Sequence, residues 1–86
     1  MPDSWILYIL SCADGSYYTG ITNDLPARLK KHESGTGAKY TKGRGPFRIA
    51  YRETLASRSD ALKRELAVKA LSKTEKMRLI QAMPDI

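Results

Sequence analysis

Trp5-Ile6-Leu7-Tyr8-Ile9-Leu10, followed by Asp14-Gly15 and then by Tyr17-Tyr18-Thr19-Gly20-Ile21, decides the fold. The first run is apolar or aromatic at every position, the pattern of a strand covered on both faces, and so belongs at the centre of a sheet. The second is rich in β-favouring types, and the Asp-Gly pair between them is a turn signal, so the two read as an antiparallel hairpin. Register decides which face each tyrosine takes. A strict two-residue turn at Asp14-Gly15 pairs Ala13 with Ser16 and puts Tyr8 and Tyr18 on opposite faces; a bulge or an odd-length loop puts them on the same one.

Downstream, Asn23 or Asp24 can cap a helix and Pro26 suits its first turn, so Leu25 to Ser34 reads as helix with Gly35 as its stop. The segment from Gly35 to Pro46 holds four of the six glycines together with Lys39, Lys42 and Arg44, and is expected as a basic loop. Phe47, Ile49 and Tyr51 alternate with Arg48, Ala50 and Arg52, the signature of a half-exposed third strand from Phe47 to Thr54. Ser57-x-x-Asp60 opens a second helix running to about Leu71, and Ser72-x-x-Glu75 is a capping box for a third, through about Met83, ended by Pro84. The expectation is an α+β fold of order β-β-α-β-α-α: a three-stranded, mainly antiparallel sheet flanked by helices, with residues 1–86 forming one domain.

Fifteen Lys and Arg against nine Asp and Glu give a net charge of +6, a positive field that concentrates polyanions, though many small proteins are basic merely for solubility. The lone Cys12 excludes an internal disulfide, and with a single His it excludes a structural zinc site. No stretch approaches the ~20 apolar residues of a membrane span, and the N-terminus lacks the basic and apolar regions of a signal peptide, so a cytoplasmic location is expected. The glycine spacing around Gly37 and Gly43 does not make a Walker A loop, which argues against ATP dependence.

Polar residues occupy positions where apolar ones are expected. Counting about 100° per residue from Leu25, Leu29 lies near 40°, His32 near −20° and Arg28 near −60°, so Arg28 and His32 share the inward stripe of the first helix. Taken singly, a hydrogen-bonded half-buried histidine and a snorkelling arginine explain them; together they suggest a lined cleft, because charged groups stay dry only when paired. On the second helix Leu62, Glu65, Leu66 and Lys69 fall within one stripe of about 100°, with Glu65 between two leucines or simply paired to Lys69 at i,i+4.

Tyr8-Ile9-Leu10, Tyr18-Thr19-Gly20, Arg28 and His32 on one helix, and Glu65 on a later one together resemble the GIY-YIG nuclease superfamily. The likeness runs from Trp5 to about Leu71. The run Gly35-Thr36-Gly37-Ala38-Lys39-Tyr40-Thr41 resembles its small single-domain bacterial group (UPF0213, YhbQ-like). Where the family name has Gly-Ile-Tyr this chain reads Leu7-Tyr8-Ile9, so Tyr8 is the matching residue, and Thr19 stands for the isoleucine of the second tripeptide.

The resemblance implies a metal-dependent endonuclease hydrolysing phosphodiester bonds in DNA, including branched, nicked or damaged structures; RNA offers the same bond. It implies catalytic roles for Tyr8, Tyr18, Arg28, His32 and Glu65. Glu65 would hold one Mg²⁺ or Mn²⁺, a single carboxylate suiting a cation that keeps most of its waters. Arg28 would clamp a phosphate oxygen with its planar fork of donors. Tyr8 would act as general base, its phenol pKa lowered from about 10 by Arg28 and the metal, with His32 taking or relaying the proton. Tyr18 would bind the phosphate or a metal-bound water, and Gly20 would let the backbone approach the substrate. Lys39, Lys42, Arg44 and Arg48 would neutralise further phosphates while Tyr40 stacks on an unpaired base; a solvated loop is the alternative. A non-catalytic nucleic-acid-binding module of the same fold is the competing function, and the small size leaves room for a protein partner that supplies specificity.

Overall fold

A computed structural model describes residues 4–35 and 45–82. Its elements are strands β1 (Trp5–Ser11), β2 (Tyr17–Thr22) and β3 (Arg48–Leu55), and helices α1 (Leu25–Glu33), α2 (Arg58–Lys69) and α3 (Lys73–Gln81), in the expected order. The sheet order is β2-β1-β3 and both pairings are antiparallel. The apolar strand is therefore the central one, with Leu7, Tyr8, Ile9 and Leu10 all wholly buried. Alternation splits them between two cores. Tyr8 and Leu10 pack with Leu25 and Leu29 of α1, and Leu7 and Ile9 pack with Val68 of α2 and with Leu79 and Ile80 of α3.

The hairpin register follows from its loop. The Cys12 N–H bonds the Ser16 carbonyl and the Gly15 N–H bonds the Cys12 carbonyl, which leaves three residues between the closing pair. Gly15, at the loop's third position, has φ +85, a left-handed conformation that glycine adopts without the Cβ clash other residues meet. The odd loop length pairs Tyr8 with Gly20 and Leu10 with Tyr18, so the two tyrosines share a face.

Two sequence expectations change. The alternation of Phe47, Ile49 and Tyr51 does not place them on one face, because β3 carries a bulge: Ile9 pairs with Tyr51 but Leu10 with Ile49, leaving Ala50 as the extra residue. Ile49 and Phe47 consequently join the α1 side and Tyr51 the α2 side, so an edge strand fills both cores. On α2 the inward stripe is centred on Ala61 and Val68, both wholly buried, rather than on the leucines; Leu62 is exposed and Leu66 is 71% exposed. The small Ala61 lets the helix approach a sheet face already filled by Leu7, Ile9 and Tyr51, and the half-buried Arg64 turns to Glu53 of β3 at 2.7 Å. About 100° per residue places Arg64 and Glu65 on the two margins of that stripe.

Both downstream helices carry their expected caps. Ser57 accepts from the Asp60 N–H, and Ser72 and Glu75 form the reciprocal box, each bonding the other's backbone N–H. In α1 the Asp24 carboxylate accepts from the Ala27 N–H and Pro26 sits in the first turn, which fixes the helix phase and so the direction of Arg28 and His32. Met83 and Pro84 lie outside the described residues.

Candidate active site

The α1 side of the sheet holds the polar cluster. Tyr8 rises from the middle of β1 with its ring over Gly20. A Cβ built on Gly20 would stand 2.6 Å from the Tyr8 hydroxyl oxygen and 2.8 Å from Cζ, so glycine is what admits the phenol there. Backbone access at Gly20 thus serves Tyr8 itself. Tyr18, two residues away on β2, lies beside it with ring centroids 6.4 Å apart. From above, α1 lowers His32, buried with the leucines as its stripe position predicts, and Arg28, half-buried at the margin.

The Tyr8 hydroxyl is 2.9 Å from His32 Nε2 and 3.4 Å from Arg28 Nε. Burial first, and the Arg28 cation second, hold the His32 imidazole below its ordinary pKa, which favours the neutral ring. The phenol oxygen accepts the Arg28 N–H, and in the tautomer that leaves Nε2 unprotonated its O–H donates to His32; the guanidinium stays firmly protonated. The imidazole is further boxed by rings, its centroid 5.2 Å from Tyr18 and 6.1 Å from Phe47.

One expectation reverses here. Arg28 does favour the phenolate, but burial outweighs it, with the Tyr18 and Glu65 charges adding in the same direction, and Tyr8 is pushed above its ordinary value rather than below it. Tyr8 is also 0% exposed. Within the protein alone both shifts favour a neutral phenol beside a neutral imidazole.

Glu65 reaches this region from α2, the helix on the other side of the sheet. Its side chain is only 17% exposed, it pairs with Lys69 at 3.3 Å, and its charge is felt at Tyr8. Beside them an open cleft of about 400 Å³ is lined by Tyr17, Tyr18 and Thr19 of β2, Lys69 of α2 and Lys76 of α3. Tyr18 belongs to both places, so the polar cluster and the cleft meet at the open edge of β2. Among the described residues no three His, Cys, Asp or Glu come together as a metal cage. A half-buried carboxylate whose counter-ion is a half-exposed, turnable lysine fits a cation that keeps its waters and takes one protein oxygen.

Tyr8, Tyr18, Arg28 and His32 thus stand together on the α1 side, while Glu65, on α2, is linked to them by its charge at Tyr8 and to the cleft by its pairing with Lys69. Of the expected substrate contacts, Lys39, Tyr40, Lys42 and Arg44 lie outside the described residues. Arg48 is exposed and pairs with Ser11, on the face away from Tyr8, whereas Arg52 pairs directly with Tyr8. The β3 bulge puts these two arginines on different faces, which no alternation rule could show. Lys76 and Thr19 were missed by sequence reasoning, since a helix lysine and a strand threonine carry no signal until α2 and α3 are laid against β2.

Comparison with known proteins gives the family. Residues 4–78 match the family model described as the GIY-YIG catalytic domain. The chain is similar to a UPF0213 protein of Oceanobacillus iheyensis, 47% identical over 81 residues and 94% of each chain. A UPF0213 protein of Staphylococcus aureus strain Mu3 is 48% identical over 79 residues, 92% of this chain and 96% of its own. The solution structure of a UPF0213 protein from Bacillus halodurans is 49% identical, covers 91% of this chain and 83% of its own, and superposes with a TM-score of 0.60.

Proposed function

This chain belongs to the GIY-YIG family, in its small UPF0213 group, and on that footing we propose that it is a divalent-metal-dependent endonuclease hydrolysing phosphodiester bonds in DNA. The single observation that carries the reading is the Tyr8 hydroxyl held between His32 Nε2 and Arg28 Nε, with the Glu65 charge within reach. A phenol alone is a poor base at neutral pH because its pKa is about 10, and here an imidazole nitrogen that can accept its proton stands 2.9 Å away. Passing that proton to His32 leaves a phenolate that can take one from the attacking water.

Arg28 touches Tyr8 only at the far limit of a hydrogen bond. Its fork, which also engages Tyr18, can turn to a non-bridging phosphate oxygen, and that turn uncovers the side of the phenol that meets the water. Tyr18, half-buried beside Tyr8, donates to the phosphate. Glu65 would hold Mg²⁺ or Mn²⁺, which when bound polarises the phosphate and neutralises the leaving 3′ oxygen. Among the described residues no base-reading element stands out, so target choice falls to DNA shape, in branched, nicked or damaged substrates, and to a protein partner.

The burial of Tyr8 and its raised pKa favour a second reading, a module that binds nucleic acid without cutting it. Incubation of end-labelled branched and single-stranded DNA with Mg²⁺ or Mn²⁺ separates the two. Cleavage by the wild type, lost in Glu65→Ala and Arg28→Ala, supports the enzyme; salt-dependent binding with no cleavage supports the module; equal cleavage by all three removes the assigned site.

A further inference from the structure

The cleft at the β2 edge has features the chemistry above does not use. β2 is an outer strand: among the described residues nothing pairs with its far side. The Cys12–Ser16 pair is hydrogen-bonded, and in an antiparallel ladder bonded and non-bonded pairs alternate. Tyr18 and Gly20 therefore bond inward to β1, and the backbone N–H groups of Tyr17 and Thr19 point outward, to the open edge.

Both residues line the cleft, and facing them are Lys69 and Lys76. Lys73 stands over the Tyr17 ring at 5.9 Å, adding a third ammonium nearby. Thr19 is 3% exposed, and its hydroxyl has no hydrogen-bond partner although buried, a cost of about 1–3 kcal/mol that proteins seldom leave standing. Two outward backbone donors and two lysines converge on one concavity, and the wall residue Thr19 carries an unsatisfied buried hydroxyl. That is the chemistry of an oxyanion site, and Tyr18 joins it directly to the Tyr8–His32 cluster.

We propose that this cleft is a second phosphate subsite, which takes a phosphodiester of the same nucleic-acid strand adjacent to the one clamped by Arg28. The inference rests on the nuclease reading for its ligand. Lys69 also neutralises Glu65, so Lys76 is the cleaner probe. Its contribution is separated from general charge by Lys63, an exposed lysine on the opposite side of α2 from Glu65.

The test is binding of a fluorescent single-stranded oligonucleotide carrying one neutral methylphosphonate at each position in turn, with wild type, Lys76→Gln and Lys63→Gln, in Ca²⁺ to prevent turnover. In the wild type, one position next to the most sensitive one weakens binding severalfold. In Lys76→Gln that position becomes indistinguishable from the rest and the salt slope falls by about 0.7, the value for one released counterion on a single strand. Lys63→Gln keeps the wild-type profile. If wild type and Lys76→Gln give the same profile while binding tightly, the subsite is wrong and the nuclease reading stands; if the wild type binds no oligonucleotide even at low salt, both fall together.

Discussion

The Tyr8 hydroxyl and His32 Nε2 share a hydrogen bond of 2.9 Å, which ties the centre of the sheet to the last turn of α1 across 24 residues of chain. It gives the buried phenol a partner next to the Arg28 guanidinium. Tyr8→Phe removes the proton donor but not the ring. The fold is expected to lose only about 1 kcal/mol, the net worth of one such bond, whereas cleavage falls by about 10²–10⁴-fold if the phenol is the base. Denaturant unfolding and single-turnover cleavage on the same samples check this; cleavage within a few-fold of wild type would remove Tyr8 from the chemistry.

Gly20→Ala tests the fit of that phenol. The new methyl would overlap Tyr8 at 2.6–2.8 Å and press on Tyr18 at 3.1 Å, so the Tyr8 ring must tilt away from His32. A destabilisation of about 1–3 kcal/mol is expected, as for other overpacked cores, with broadened or shifted Tyr8 ring resonances. Unchanged stability and ring shifts would show that the space is roomier than it looks.

His32 titrates below its usual pKa of about 6.5 because it is buried beside Arg28. As pH falls through about 6.5 the unfolded chain takes up a proton that the folded chain still refuses, so folding stability declines with acidification. Urea midpoints between pH 7.5 and pH 5 should drop more steeply in the wild type than in His32→Gln. Parallel curves would place the imidazole in contact with water.

Removing the Glu65 carboxylate should separate fold from function. Its partner Lys69 is half-exposed, and such i,i+4 pairs are worth a few tenths of a kcal/mol, so Glu65→Gln is expected to unfold at nearly the wild-type denaturant concentration. Metal-dependent cleavage should vanish, as it should in the wild type with EDTA, and Mn²⁺ titrated into the wild type should broaden resonances around Glu65 but not in the variant. Retained broadening would move the metal elsewhere.

Much of this could be read from the chain directly. Six apolar or aromatic residues in a row mark β1 as central, and four of them, Leu7 to Leu10, are wholly buried because helices cover both faces. The caps at Asp24, Ser57 and Ser72 act within one turn of backbone, so a local pattern suffices to find them. Arg28 and His32 were legible for the same reason: once Leu25 points inward, helix geometry fixes where residues three and seven positions later point.

What tertiary structure alone decided is everything that compares distant segments. The three-residue loop, not the Asp-Gly pair as such, set the parity that joins Tyr8 to Tyr18. The bulge at Ala50 divided Ile49 from Tyr51 and Arg48 from Arg52. Close packing chose Ala61 and Val68 over two larger leucines as the inner face of α2, turning Glu65 to its margin and toward the sheet edge. The direction of the Tyr8 pKa also came only from assembly: a nearby cation is visible in a sequence, but the water that burial removes is a property of the whole packed surface.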